Sequence, residues 1–179
     1  MHPEVRSVFL GLLLASLAGC SHDVKFAELS PKDQGRALDI EADTLIRLID
    51  DALDARSKQA VTQRAIPNNT HWFIDCPNHD QKQMGHVLAR VRNVFPSVEV
   101  EEKCPPRPRE REQFFSASAE ITALGPFTAE VWATSGVLYY GPDNDAKMPA
   151  FSGAGFKIHL MRECDRWVVD MMQVVLTMD

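Results

Sequence analysis

From Phe115 to Ala133 the chain alternates apolar and polar side chains with a period of two, interrupted once at Gly125-Pro126. Phe115, Ala117, Ala119, Ile121 and Ala123 share one parity, and Ser116, Ser118, Glu120 and Thr122 share the other. Only extended backbone puts alternate residues on opposite faces. The stretch therefore predicts an antiparallel pair with one face buried and one wet. The second strand repeats the pattern with Phe127, Ala129, Val131 and Ala133 against Thr128, Glu130, Trp132 and Thr134. Trp132 is the outlier, an indole on the wet parity. Covering helices would explain it, and so would a partner surface shared with Tyr139 and Tyr140, because Trp and Tyr are favoured at interface hot spots.

The remaining C-terminal strands follow from the same reasoning. Gly141-Pro142-Asp143-Asn144-Asp145 opens a long loop, and Ala154, Phe156, Ile158 and Leu160 alternate again. Glu163-Cys164-Asp165-Arg166 reads as a tight connection. Trp167 to Leu176 is nearly all apolar, which predicts a strand that is central or covered on both faces. Gly153-Ala154-Gly155 lacks the Lys-Ser/Thr of a phosphate loop and predicts a bulge or a close strand approach.

The N-terminal half has a different period. Ser30-Pro31-Lys32-Asp33 is a helix start: Ser30 can accept from free N–H groups, Pro31 suits the first turn, and Asp33 favours the positive helix end. Leu38, Ala42, Leu45, Leu48, Ile49, Ala52 and Leu53 recur at three- and four-residue steps, predicting an amphipathic helix that ends between Ala55 and Ala65. His71 to Cys76 reads as a strand. Pro77-Asn78-His79-Asp80 caps a second helix bearing Met84, Val87, Leu88, Val91, Val94 and Phe95, and Pro96 stops it. Val98 and Val100 alternate with glutamates in a further short strand, completing a strand–helix–strand unit. Pro105 to Arg109 is an extended loop. The fold class is α+β: a long N-terminal helix and a βαβ-like unit packed on a C-terminal four-stranded antiparallel meander. A long helix on a curved meander resembles a cystatin or nuclear-transport-factor-like cone, which implies a sheet wrapped around that helix.

The first twenty residues set the address. The apolar run from Val8 to Ala18 spans about 16 Å as a helix, against ~20 residues needed to cross hydrocarbon. It suits a signal-peptide core rather than a membrane span. Leu17-Ala18-Gly19-Cys20 resembles the lipobox of bacterial lipoproteins. The resemblance implies cleavage after Gly19, a diacylglyceryl thioether on Cys20, and further acylation, such as palmitate, of the new amine. Ser21 in place of Asp looks like export to the outer membrane, on its periplasmic face. The implied organisation is a signal peptide over 1–19, a lipidated tether over 20–29 and one α+β domain over 30–179. Removing 1–19 deletes one acid and one base, Glu4 and Arg6, so the net charge stays at −6. That charge excludes a general nucleic-acid binder, which needs a basic face.

An exported chain meets an oxidising compartment, so its remaining thiols are disulfide candidates. Cys76 and Cys104 each follow a strand of the βαβ unit, and a bond between them would contribute roughly 3–4 kcal/mol. Cys164 is left over; other pairings, and no bond, stay open. Cys76, His79, His86 and Cys104 have the donor types of a tetrahedral zinc site, although their spacing fits no finger pattern. No nucleophile elbow, zincin motif or tuned carboxylate pair is present, and no cofactor is indicated. Asp50, Asp51 and Asp54, and Glu99 to Glu102, read as solvated acidic faces. The sequence therefore points to a non-enzymatic, protein-binding accessory module of the cell envelope, with the bilayer and an envelope protein as partners. The alternatives are a small hydrolase or metal enzyme using the His71–His86 segment, and a small-ligand carrier.

Overall fold

The computed structural model describes residues 25–60, 71–76, 79–96, 98–101, 113–139 and 150–178. Cys20, Cys104 and Tyr140 lie outside them. A short 3-10 turn, Phe26–Glu28, precedes helix α1 (Pro31–Ala60). Strand β1 (His71–Asp75), helix α2 (Gln81–Val94) and strand β2 (Glu99–Glu101) follow. Four long strands complete the described chain: β3 (Gln113–Leu124), β4 (Thr128–Tyr139), β5 (Ala150–Glu163) and β6 (Arg166–Met178).

All six strands form one sheet in the order β2-β1-β3-β4-β5-β6. β3 to β6 are antiparallel neighbours, the expected meander. β1 pairs parallel with β2 on one side and with β3 on the other. The βαβ unit therefore extends the sheet edge to edge, and only its helix lies over the sheet. A parallel β1–β2 pair needs a long crossover, and α2 supplies it.

The helix starts are built as their residues dictate. The Asp33 N–H donates to Ser30 Oγ at 3.2 Å. Asp80 and Gln83 form a reciprocal capping box on α2, the Gln83 N–H donating to Asp80 Oδ1 at 2.8 Å. The β5–β6 turn has two residues, Cys164 and Asp165, both at positive φ (47° and 78°). That is the backbone twist a tight antiparallel hairpin favours.

The core lies between the helices and one face of the sheet. Ile40, Leu45 and Ile49 of α1 and Val87 and Val91 of α2 are fully buried against Trp72, Ile74, Ala117, Ala119, Val131 and Ala133. Each large aliphatic side chain removed from water in this way contributes ~1.5–3 kcal/mol. Trp72 stacks on Phe115 with ring centroids 4.9 Å apart.

One expectation is overturned. The apolar strand 167–176 is not central, and beyond Trp167 and Val169, which pack against the core, it is largely uncovered among the described residues: β6 is the outer strand of the sheet. Val168, Met171, Met172, Val174, Val175 and Leu176 are between 38% and 56% exposed. The physical reason is topological. β4 already occupies one side of β5, and a two-residue turn can deliver β6 only to the other side. An apolar run reports that a strand needs cover on both faces; it does not say that its own chain supplies that cover.

Candidate functional site

Two of the sequence-level candidates, Cys76 and His79, fall in the buried layer. Cys76, directly after β1, is 3% exposed. Burial pushes its thiol far above the ordinary range, the negative charges of Glu41 and Asp75 add to this, and an Ala119 backbone N–H only partly offsets it. A thiol held protonated is the opposite of an activated nucleophile. His79 Nε2 meets Glu41 Oε2 at 2.5 Å, and the two side chains are 2% and 1% exposed. The other carboxylate oxygen, Oε1, accepts the Ile121 N–H at 2.9 Å. That N–H sits where β3 and β4 shift register, between Ile121 and Ala123, so Glu41 completes the hydrogen bonding of a β-bulge. Phe26 packs edge-on to the His79 ring at 4.4 Å. The cluster thus ties the N-terminal turn, α1, the approach to α2 and β3 together.

His86 is elsewhere. It lies on the exposed side of α2, its Nε2 3.2 Å from Asp39 Oδ1, beside the Arg90–Asp39 and Arg90–Asp43 pairs. The structure does not bring His79 and His86 to one point. Among the described residues no group of three or more His, Cys, Asp or Glu is arranged to hold a metal ion. The Cys76–Cys104 pairing falls on a residue outside the described ones. Cys164 is exposed in its turn.

Glu41 was missed in the sequence, although a signal for it exists. It stands three residues after Leu38 and four before Leu45, inside the apolar stripe. A carboxylate at such a position is either an error of pattern or a buried, partnered group.

The opposite sheet face carries Trp132. Ala129, Val131 and Ala133 face the helices, so alternation places Glu130, Trp132 and Thr134 on the other side. The helices therefore do not cover the indole. It lies instead across Gly155, where an added Cβ would come within 3.1 Å of the ring and 3.5 Å of Leu176 Cβ. The centre of this face is wet: Ser118 and Thr134 hydroxyls share a 2.7 Å hydrogen bond, and Lys157 pairs with Glu130 at 2.9 Å. Its β6 margin is largely apolar: Met171 and Leu176 lie to either side of Gln173, the residue in register with Trp132 through Lys157, and Val168 lies further along, in register with Thr128. Tyr139 ends β4, away from this margin along the strand.

The outer edge of β6 offers thirteen residues of backbone, and their charges are confined to Arg166 and Asp170. Natural edges are ordinarily blunted by lysines, prolines or brevity. β6 has neither Lys nor Pro, and from Met171 to Met178 it has no charge. Among the described residues no helix is long and apolar enough to cross a membrane. Compared with known proteins, the chain matches no family model and no curated sequence.

Proposed function

We propose that this chain is a lipid-anchored lipoprotein of the outer membrane that acts, without catalysis, as a docking module for another envelope protein. The observation that carries the reading is β6: a long outer strand, uncharged from Met171 to Met178, whose apolar side chains are half exposed on both faces. The partner contributes an extended strand. Its backbone hydrogen-bonds to the free edge, and its alternate side chains cover Met172 and Val174 on one face and Met171 and Leu176 on the other. Methionines suit the role, because their unbranched side chains adapt to irregular partner surfaces. The address rests on Leu17-Ala18-Gly19-Cys20, which resembles a lipobox. Acyl chains on Cys20 provide anchoring at ~0.8 kcal/mol per buried CH₂.

A photo-crosslinking amino acid placed in turn at Met171 and at Lys82, an exposed α2 position, tests this in cells. The expected result is a discrete adduct from Met171 that is absent from Lys82 and lost when Val174→Glu is added. Equal labelling from both positions, or none from β6, would overturn the docking reading. Mass spectrometry of the amino-terminal peptide checks the anchor: an unmodified Cys20 would overturn it.

A further inference from the structure

A second surface feature lies on the helix side of the sheet. A cleft of about 700 Å³ opens between α1 and the β5–β6 hairpin. That volume falls within the ~300–1,000 Å³ of small-molecule sites. Ile158, Leu160, Trp167 and Val169 supply its sheet wall, and Ile40, Ile46 and Thr44 line it from α1. The Trp167 ring is fixed from above by the Arg36 guanidinium, 5.7 Å from its centroid, which itself donates to the Gly125 carbonyl at 3.0 Å.

The charge of this cleft runs against the charge of the chain. Six cations line it, Lys32, Arg36, Arg47, Arg90, Arg162 and Arg166, against three carboxylates, Asp39, Asp43 and Asp165. The carboxylates are all engaged: Arg90 holds Asp39 and Asp43, and Arg162 holds Asp165. Arg36 is held by Asp33. Lys32, Arg47 and Arg166 form no ion pair among the described residues, and all three are exposed. A protein of net charge −6 has thus gathered an excess of two positive charges, Asp33 included, around one apolar-walled opening. A cleft lined by one sign of charge raises the local concentration of the opposite sign.

We infer that the cleft binds a small amphiphilic anion, its carboxylate or phosphate held by Lys32, Arg47 and Arg166 and its apolar body lying on Ile158, Leu160 and Trp167. The two halves of the site select together. A bare inorganic anion gains only screened attraction to exposed cations, and an uncharged apolar molecule forfeits the cationic rim. The site uses only the start of β6, Arg166 to Val169, on the helix side of the sheet, and not the Met171–Leu176 stretch offered to a partner, so ligand binding is tested independently of protein docking.

Calorimetric titration of the full chain carrying Cys20→Ser tests it, with phenylhexanoate, phenylhexyl phosphate, phenylhexanol and inorganic phosphate as probes. The first two distinguish a carboxylate from a phosphate head. The expected result is saturable one-to-one binding of at least one of them, weakened about ten-fold or more by added salt. Phenylhexanol and inorganic phosphate bind at least about ten-fold more weakly, a difference of about 1.4 kcal/mol. Arg47→Glu with Arg166→Glu abolishes binding while the near-ultraviolet circular dichroism is unchanged. Met171→Lys with Leu176→Lys, outside the cleft, leaves binding intact. Equal affinity for phenylhexanol, binding indifferent to the arginine reversals, or binding lost with the β6 pair would each overturn the inference, the last by showing adsorption to the exposed strand. Absence of binding by all four probes would overturn it as well.

Discussion

Glu41 is the residue whose removal the fold should tolerate least. Its carboxylate is buried, accepts the Ile121 N–H through one oxygen and meets His79 through the other. Truncation by Glu41→Ala leaves a buried backbone N–H without its acceptor, at about 1–3 kcal/mol. It also strips the imidazole of its carboxylate; breaking a buried pair from one side costs about 3–5 kcal/mol in all. Against a total stability of ~5–15 kcal/mol that is a large share. For a chain of this size it corresponds to a fall of about 10 °C in melting temperature. Glu41→Gln keeps a carbonyl oxygen for the bulge and should cost about 1–2 kcal/mol. The assay is urea unfolding of wild type, Glu41→Ala, Glu41→Gln, His79→Ala and the Glu41→Ala/His79→Ala double variant. The expected coupling between the two positions exceeds about 1 kcal/mol. A Glu41→Ala loss below about 1 kcal/mol, or strictly additive single losses, would refute the view that this pair fastens α1 to the bulge of β3.

Other outcomes follow from the same geometry. Gly155→Val should destabilise by about 1–3 kcal/mol, because even a Cβ meets the Trp132 ring at 3.1 Å, and Trp132→Ala should relieve most of that loss in a thermal melt. At pH 8, peptide mapping after brief alkylation should find Cys164 modified and Cys76 protected until the chain unfolds, since burial and the Glu41 and Asp75 charges hold the Cys76 thiol protonated; rapid native labelling of Cys76 would contradict this. Burial acts to raise the Glu130 carboxyl, but the Lys157 ammonium and the Thr122 hydroxyl outweigh it and hold the group below its ordinary value near 4.5. The unfolded chain then binds the proton more readily, so this contribution is complete above about that pH and is lost as pH falls through the lower folded value. Glu130→Gln should accordingly lower stability at pH 7 and leave it nearly unchanged below the folded value, so that the acid limb of the stability curve flattens. Val174→Lys, at a half-exposed site, should change stability by less than about 0.5 kcal/mol in the isolated chain; a loss of several kcal/mol would mean that β6 is covered by its own chain.

What the sequence disclosed was mostly periodicity. The two-residue alternation placed β3 and β4 and assigned their faces up to Ile121 and from Ala129, while the bulge sets Ala123 opposite Glu130 and Phe127 is 70% exposed; the Ser30 and Asp80 caps placed both helix starts. Pairing across long separations left no local trace. Nothing in Trp72 to Asp75 announces that β1 lies parallel to Phe115–Ser118, since register is set by the packed faces and not by the strand's own residues. The cluster of His71, Cys76, His79 and His86 suggested chemistry by nearness in the chain. Space separates it, because His79 precedes the cap of α2 and turns inward to Glu41, while His86 lies beyond the first turns of that helix and faces Asp39. Glu41 itself was readable as an acid within an apolar stripe. The cleft was not, because its cations come from α1, α2 and the β5–β6 hairpin, segments with no sequence relation.

The two proposed surfaces share one strand. Trp167 and Val169, early in β6, wall the cleft, whereas Met171 to Leu176, further along, form the apolar margin offered to a partner. Between them lies a register shift, where His159 pairs with Met171 and Leu160 with Val169, so that Asp170 is the extra residue. A bulge is a local break in a ladder, and the strand on either side of it can twist separately. If docking straightens β6 and a ligand in the cleft favours one setting of that bulge, the two events are linked, and linkage is reciprocal: the factor by which the ligand alters partner affinity equals the factor by which the partner alters ligand affinity. Deleting Asp170 removes the extra residue without touching either surface's own side chains. Loss of any ligand effect on partner binding in that variant, with both separate affinities retained, would assign the coupling to the bulge; coupling unchanged by the deletion would rule it out.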